Sequence, residues 1–203
     1  KTRWPDGSVK FAVLTLERPD LAAGRSLDLV LAAAAPPAAP AIDLAQALAG
    51  REIGVTLAFE GGRSLAVDVD AALREALAAG RASLWQEGPL ATQGRVEIAV
   101  PGTSLRLVFD VTAFKGGGLS VDAQFANDRA MEAIGGRLAY TATATLDGRE
   151  VLRETVNQLQ YQSWNAEFSS NGRDGGQGLG SPEAGWLNIR HDVAKLGALG
   201  VVA

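Results

Sequence analysis

The sequence predicts a mainly β protein, an antiparallel sandwich or barrel carrying two or three short helices. Three observations point there. Apolar and polar residues alternate with period two in at least eight segments, the spacing of strands with one buried face. Glycine-rich turn signals separate successive segments, so neighbours in sequence pair as hairpins. Helical stripes are few and short.

Taken in order, Val9 to Leu16 and Ser26 to Leu31 read as the first two strands. Ala32 to Ala41 is rich in Ala and Pro and reads as an extended connector. Ile42 to Ala49, ended by Gly50, fits about two helical turns. Ile53, Val55, Leu57 and Phe59 share one strand face, and Leu65, Val67 and Val69 another. Between them lies Glu60-Gly61-Gly62-Arg63, where a tight turn requires positive φ at the glycines. Asp70 is placed to cap a helix over Ala71 to Ala79, with Leu73 and Leu77 on one stripe and Gly80 as the stop. Val96, Ile98 and Val100 alternate with Arg95 and Glu97; Leu105 to Val111 alternate with Arg106 and Asp110. After Lys115-Gly116-Gly117-Gly118, Leu119 to Phe125 resume against Ser120, Asp122 and Gln124. Leu138 to Leu146 alternate with three threonines, and Asp147-Gly148 reads as a two-residue hairpin turn into Val151 to Val156. A third helix is expected near His191-Asp192. Residues 1–187 are therefore read as one β-domain, and 188–203 as a helical segment leading into a further domain.

Composition narrows the function. The chain has 203 residues, 47% of them hydrophobic and 21% charged, enough apolar material for a packed core. A net charge of −4 leaves no basic footprint for nucleic acid. With no cysteine and a single histidine, thiolate or multi-histidine metal sites and cysteine nucleophiles are excluded, and no cofactor or metal is expected. No run of eighteen apolar residues supports a membrane span. The chain opens on Lys1 without a Met or a signal segment, so it is expected to be a central piece of a longer protein.

Few residues suggest chemistry. Gly175-Gly176-Gln177-Gly178-Leu179-Gly180 lacks the Lys-Ser/Thr that completes a phosphate loop and reads as a surface loop. His191-Asp192 has no nucleophile elbow to serve, and Asp192 suits a helix cap. Asp68 and Asp70 could act as a carboxylate pair on a sugar, but a helix cap at Asp70 and the normal solvated face of a sheet are the favoured account of them. Asn127-Asp128 fits a turn. No catalytic residue is assigned. Tyr161, Trp164 and Phe168 are interleaved with Gln160, Gln162, Asn165 and Glu167, flat rings beside amide and carboxylate groups, as a sugar ring requires. The other reading of this cluster is a closing strand whose aromatics fill the core. Tyr161, Trp164, Asn165 and Glu167 are the candidate carbohydrate-binding residues.

Arg3-Trp4-Pro5-Asp6-Gly7-Ser8-Val9-Lys10-Phe11 resembles the Arg-Trp-Pro-Asp-Gly-Ser-hydrophobic-Lys/Arg-Trp signature of the exo-rhamnogalacturonan lyase-like (YetA-like) family, with Phe11 where that family often has Trp. Leu119 to Asp128 and Asn188 to Ala194 are similar to segments of related large proteins, several of them phage or prophage encoded. The resemblance touches about a quarter of the chain. It implies a RIFT-type β-barrel domain preceding a helical toroid that holds the lyase chemistry, so no catalytic residue is carried over. It also implies that the Trp4–Ser8 turn is structural, with Pro5 and Gly7 fixing the bend, Asp6 bonding backbone amides and Trp4 packed beneath.

Together these readings predict a non-catalytic structural or interaction β-domain of a larger extracellular or phage virion protein, in a tail or spike, with glycan contact. Its expected partners are other domains of its own chain, neighbouring virion subunits and polysaccharide, with neither nucleic acid nor a membrane span. An accessory domain of a polysaccharide lyase or glycoside hydrolase is the alternative. A self-contained glycosidase is the least favoured.

Overall fold

The computed structural model describes residues 2–17, 19–30, 32, 38–129 and 135–170. The glycine loop at 175–180, His191-Asp192, the Asn188–Ala194 segment and the helix expected over 188–203 lie outside these residues.

Among the described residues the fold is a β-sandwich with two helices and a small N-terminal ribbon. The ribbon pairs β1 (Thr2–Arg3) with β2 (Val9–Phe11). One layer of the sandwich is a four-stranded antiparallel sheet in the order β10-β9-β3-β4, formed by Arg149–Gln158, Leu138–Leu146, Ile53–Phe59 and Ser64–Asp68. The other runs β11-β8-β7-β6-β5, formed by Ser163–Ser169, Leu119–Ala126, Arg106–Phe114, Ala91–Ala99 and Ser83–Glu87. Among the described residues the two sheets stay separate, each with two edge strands, so they form the sandwich of the two expected alternatives and not a closed barrel.

Period two decides which atoms meet between the layers. Ile53, Val55 and Leu57 face inward with Tyr140, Ala142, Ala144 and Leu146 of β9. Opposite them lie Leu107, Phe109, Val111 and Ala113 of β7 and Leu119, Val121, Ala123 and Phe125 of β8. Removing these side chains from water, at about 25 cal/mol per Å², is the main force holding the layers together. The threonines at 141, 143 and 145 face outward, as their alternation requires.

The turns follow their residue types. Asp147 (φ 51°) and Gly148 (φ 77°) make the two-residue loop joining β9 to β10, the left-handed pair such a hairpin needs. Gly61 and Gly62 both take φ 85° between β3 and β4.

Two helices pack against the sandwich. Helix α1 (Leu44–Ala47) is shorter than expected, with Asp43 accepting from the Gln46 N–H at 3.0 Å. Helix α2 (Val69–Ala78) packs on β3 and β6. Its cap is Asp68, whose carboxylate accepts from the Ala71 N–H at 2.9 Å. Asp70, expected as the cap, sits inside the first turn and is buried. It accepts from the Ile53 N–H at 2.8 Å and pairs with Arg74 at 2.6 Å. Val69 accordingly belongs to the helix rather than to β4. The helices come so close to β6 that a Cβ at Gly94 would lie 2.6 Å from Leu44 Cδ2.

Three expectations for the N-terminal half change. Strand Val9–Leu16 is realised only over Val9–Phe11, and residues 26–30 form no strand. β5 was not expected, because Leu84 and Trp85 are adjacent rather than alternating and both are exposed. No described residue before Ile42 packs in the core.

Candidate functional site

Strand β11 distributes the expected sugar-binding cluster over two faces. Trp164, Ala166 and Phe168 point into the core; Asn165 and Glu167 point out. Trp164 is 5% exposed and stacks on Phe125, with centroids 4.0 Å apart and planes 4° from parallel. Its Nε1–H donates to Tyr140 Oη at 2.9 Å, and Tyr140 in turn donates to Gln158 Oε1 at 2.7 Å. Gln158 Nε2 donates to the Phe125 and Gln162 carbonyls at 2.9 and 2.6 Å. The Trp164 ring is thus a core residue with a satisfied N–H, and this corrects its assignment as a sugar platform. The reason is parity: in a strand only every second residue reaches solvent.

Tyr161 sits in the turn before β11 with φ 68° and is 65% exposed. Its N–H donates to the Asn127 carbonyl at 2.6 Å. Asn127 is itself buried, accepting from Ser104 Oγ at 2.5 Å and donating to the Gly136 carbonyl at 2.8 Å. Asn127 therefore ties this turn to its neighbours. Asp128 pairs with Arg106 at 2.7 Å, and that guanidinium holds its carboxyl below the usual range.

Asn165 and Glu167 belong to a polar surface that strand register assembles from four strands. Glu167 lies opposite Asp122, Asp122 opposite Asp110, and Asp110 opposite Arg95. In the adjacent row, Asn165 is opposite Gln124, and Gln124 is opposite Val108. Arg95 binds Asp110 through two bonds of 2.8 and 2.6 Å, and its guanidinium lies 4.8 Å over the Trp85 ring. Asp122 has neither hydrogen bond nor ion pair among the described residues. Desolvation first, then the charges of Glu167 and Asp110, push its carboxyl above the usual value. A shallow open depression lies over this patch, lined by Arg95, Val108, Asp110, Asp122, Gln124 and Asn165. No group of three or more histidines, cysteines or carboxylates among the described residues is placed to hold a metal ion. The depression presents hydrogen-bonding groups of both kinds around two apolar residues, Val108 and Ala123, chemistry suited to a hydroxylated ligand.

The other feature outside the core is the N-terminal arm. The Trp4–Ser8 turn forms as expected: Gly7 N–H donates to the Trp4 carbonyl at 2.9 Å, Gly7 takes φ 84°, and Asp6 accepts from the Ser8 N–H at 2.9 Å. Trp4 is not packed beneath it but exposed, with Lys10 Nζ 4.5 Å over its ring. Nine of the thirteen exposed large apolar side chains among the described residues lie between Trp4 and Val30.

The acid pair at 68 and 70 is committed to the fold, one carboxylate to a cap and the other to Arg74 and Ile53. Arg95, Asp110, Asp122 and Gln124 were visible in the sequence only as outward positions of separate strands. Their meeting in one patch depends on register, which no local signal carries. No family model, curated protein or solved structure matches this chain.

Proposed function

We propose that this chain is a non-catalytic, contact-making β-domain of a larger extracellular or virion-associated protein, such as a tail or spike component. One observation carries this reading. Among the described residues the core is drawn from Ile42 onward, while the arm before it keeps a row of apolar side chains exposed. Isolated soluble domains rarely expose such surface, and where it occurs it marks an interface. The resemblance of Arg3–Phe11 to the start of large multidomain proteins supports the same reading. No helix among the described residues is long and apolar enough to cross a membrane. An antibody raised against the sandwich tests the proposal on the source cells and the particles they release. The expected result is a band well above 21.1 kDa in the extracellular or particle fraction. A band of that mass confined to the cytosol overturns it.

Glycan contact, as in an accessory domain of a polysaccharide lyase or hydrolase, is a second reading favoured by the polar depression. Retardation of the chain by a panel of neutral and acidic polysaccharides measures it. Asn165→Ala and Glu167→Gln are expected to weaken retardation, and Tyr161→Ala to weaken it only if the ligand extends past the end of β11. If the wild-type chain runs unretarded through every polymer, this reading is dropped.

A further inference from the structure

The outer face of the five-stranded sheet carries an aromatic ring as well as the polar depression. Edge strand β5 pairs with β6 out of step: Leu84 is opposite Gly94 and Gln86 opposite Gln93, which leaves Trp85 as an extra residue between them. A bulge of this kind re-aims its side chain. Leu84 stays on the helix side of the sheet beside Gly94, whereas the half-exposed Trp85 ring lies under the Arg95 guanidinium. Arg95 lines the depression, so ring and depression form one continuous surface.

Charge on this surface is unbalanced. The row from Arg95 through Asp110 and Asp122 to Glu167 sets one guanidinium against three carboxylates. Arg95 is committed to Asp110 by its two bonds. Asp122 and Glu167 face each other on neighbouring strands, with no cation bonded to either among the described residues. Like charges directly opposite destabilise a sheet, and a ligand cation between them offsets that cost. Two residues along each strand, about 7 Å away, Gln124 and Asn165 form an opposed pair of amides, which offer donors and acceptors to hydroxyls.

We propose that this face binds a glycan carrying free amino groups, laid across the strands with one sugar ring on Trp85 and an ammonium between Asp122 and Glu167. Arg95 braces the indole from one side, and sugar C–H groups stack on the part left in solvent. An exposed flat ring beside paired amides on an open face favours a sugar over a basic peptide segment, because both the apolar faces and the hydroxyls of a pyranose find partners. From β5 to β11 the row crosses four strand spacings, about 19 Å, longer than a single pyranose, so the ligand is an oligosaccharide or polymer. A uronate chain meets the excess of carboxylates and is repelled. An N-acetylated hexosamine keeps the stacking and the amide contacts but loses the charge. This inference rests on the glycan-contact reading and names the class of sugar.

Isothermal titration of the whole chain with glucosamine, N-acetylglucosamine and galacturonate oligosaccharides of equal length tests it. The glucosamine oligomer should bind roughly tenfold more tightly than its N-acetylated form, the worth of one charge-assisted contact, and the galacturonate oligomer should bind least. Trp85→Ala should weaken binding of both hexosamine oligomers, and Asp122→Asn should close the gap between them. Both variants keep the fold, since Trp85 is exposed and removing the Asp122 charge relieves a repulsion. Galacturonate binding as tight as that of glucosamine overturns the amine assignment and leaves the glycan reading standing. Binding that neither substitution alters overturns the site. An oligolysine bound as tightly as the glucosamine oligomer, and indifferent to Trp85→Ala, makes the face a dock for a basic protein segment and overturns the proposal as well. If no saccharide binds, the glycan reading falls and this inference with it.

Discussion

Parity along a strand determines what each residue of β11 can do. Trp164 and Asn165 are chain neighbours, yet one is locked into a buried hydrogen-bonded network and the other faces solvent. Tyr140 is the joint of that network, and burial pushes its phenol well above the usual value, so it stays protonated and donates. Tyr140→Phe leaves the Trp164 N–H and Gln158 Oε1 short of a partner. The expected cost is about 1–3 kcal/mol, read as a lower urea midpoint with an unchanged slope. A loss as large as that of Trp164→Ala would mean that the hydroxyl also maintains the ring packing. On the outer face, Asp122 gives a pH-dependent outcome of known sign. Its carboxyl is raised in the folded state, so ionising it weakens folding as pH rises from the unfolded value through the folded one. Asp122→Asn should therefore stabilise the protein at pH 7 and lose that advantage near pH 3. Asp128 and Asp147 run the other way. Arg106 and Arg51 depress their carboxyls, so their stabilisation is present above the ordinary carboxylate value and disappears as pH falls through the depressed one. Equilibrium urea unfolding at the two pH values separates the signs.

At the scale of elements, α2 shows how a local rule and a tertiary demand divide two nearby aspartates. The sequence offers Asp70 as the cap and Asp68 only as a carboxylate at a strand end. The structure gives the cap to Asp68 because the backbone N–H of Ile53 needs an acceptor in the core, and Asp70 is the carboxylate that reaches it. Asp68→Ala is expected to cost about 1 kcal/mol, the usual worth of a cap. Asp70→Ala should cost more, about 1–3 kcal/mol, because it leaves a buried N–H unsatisfied and Arg74 without its carboxylate. Chemical denaturation of the two variants side by side checks the order; the reverse order would mean that α2 depends on its cap more than on its seat. Close approach at β6 gives a further test. Gly94→Ala places a methyl against Leu44 Cδ2 and is expected to cost about 1–3 kcal/mol through overpacking, seen in the same assay.

At the scale of the molecule, the core formed by the described residues begins at Ile42, which separates the sandwich from the arm energetically. Deleting residues 1–37 should leave the thermal midpoint of the monomer within the range of neutral surface changes, about 0.5 kcal/mol, as followed by circular dichroism at low concentration. A large drop would place the arm in the fold instead of at an interface.

Most of the architecture was legible in the chain itself. Val55 and Leu57, Leu107 and Phe109, Leu119 and Val121 announce their inward faces by period two, and Asp147-Gly148 announces its hairpin, because strand parity and left-handed turns are properties of a few consecutive residues. The edge strand β5 was not legible, since a strand with two exposed apolar neighbours carries no alternation. Nor was the extent of the arm, whose period promised a full strand but whose side chains find no covering layer among the described residues. The meeting of Arg95, Asp110, Asp122 and Glu167 in one row, and the choice of two open sheets over a barrel, belonged to the tertiary structure alone. Local sequence sets which way a side chain points from its own strand; which strand lies beside it is decided by contacts far apart in the chain, and only the packed core selects among them.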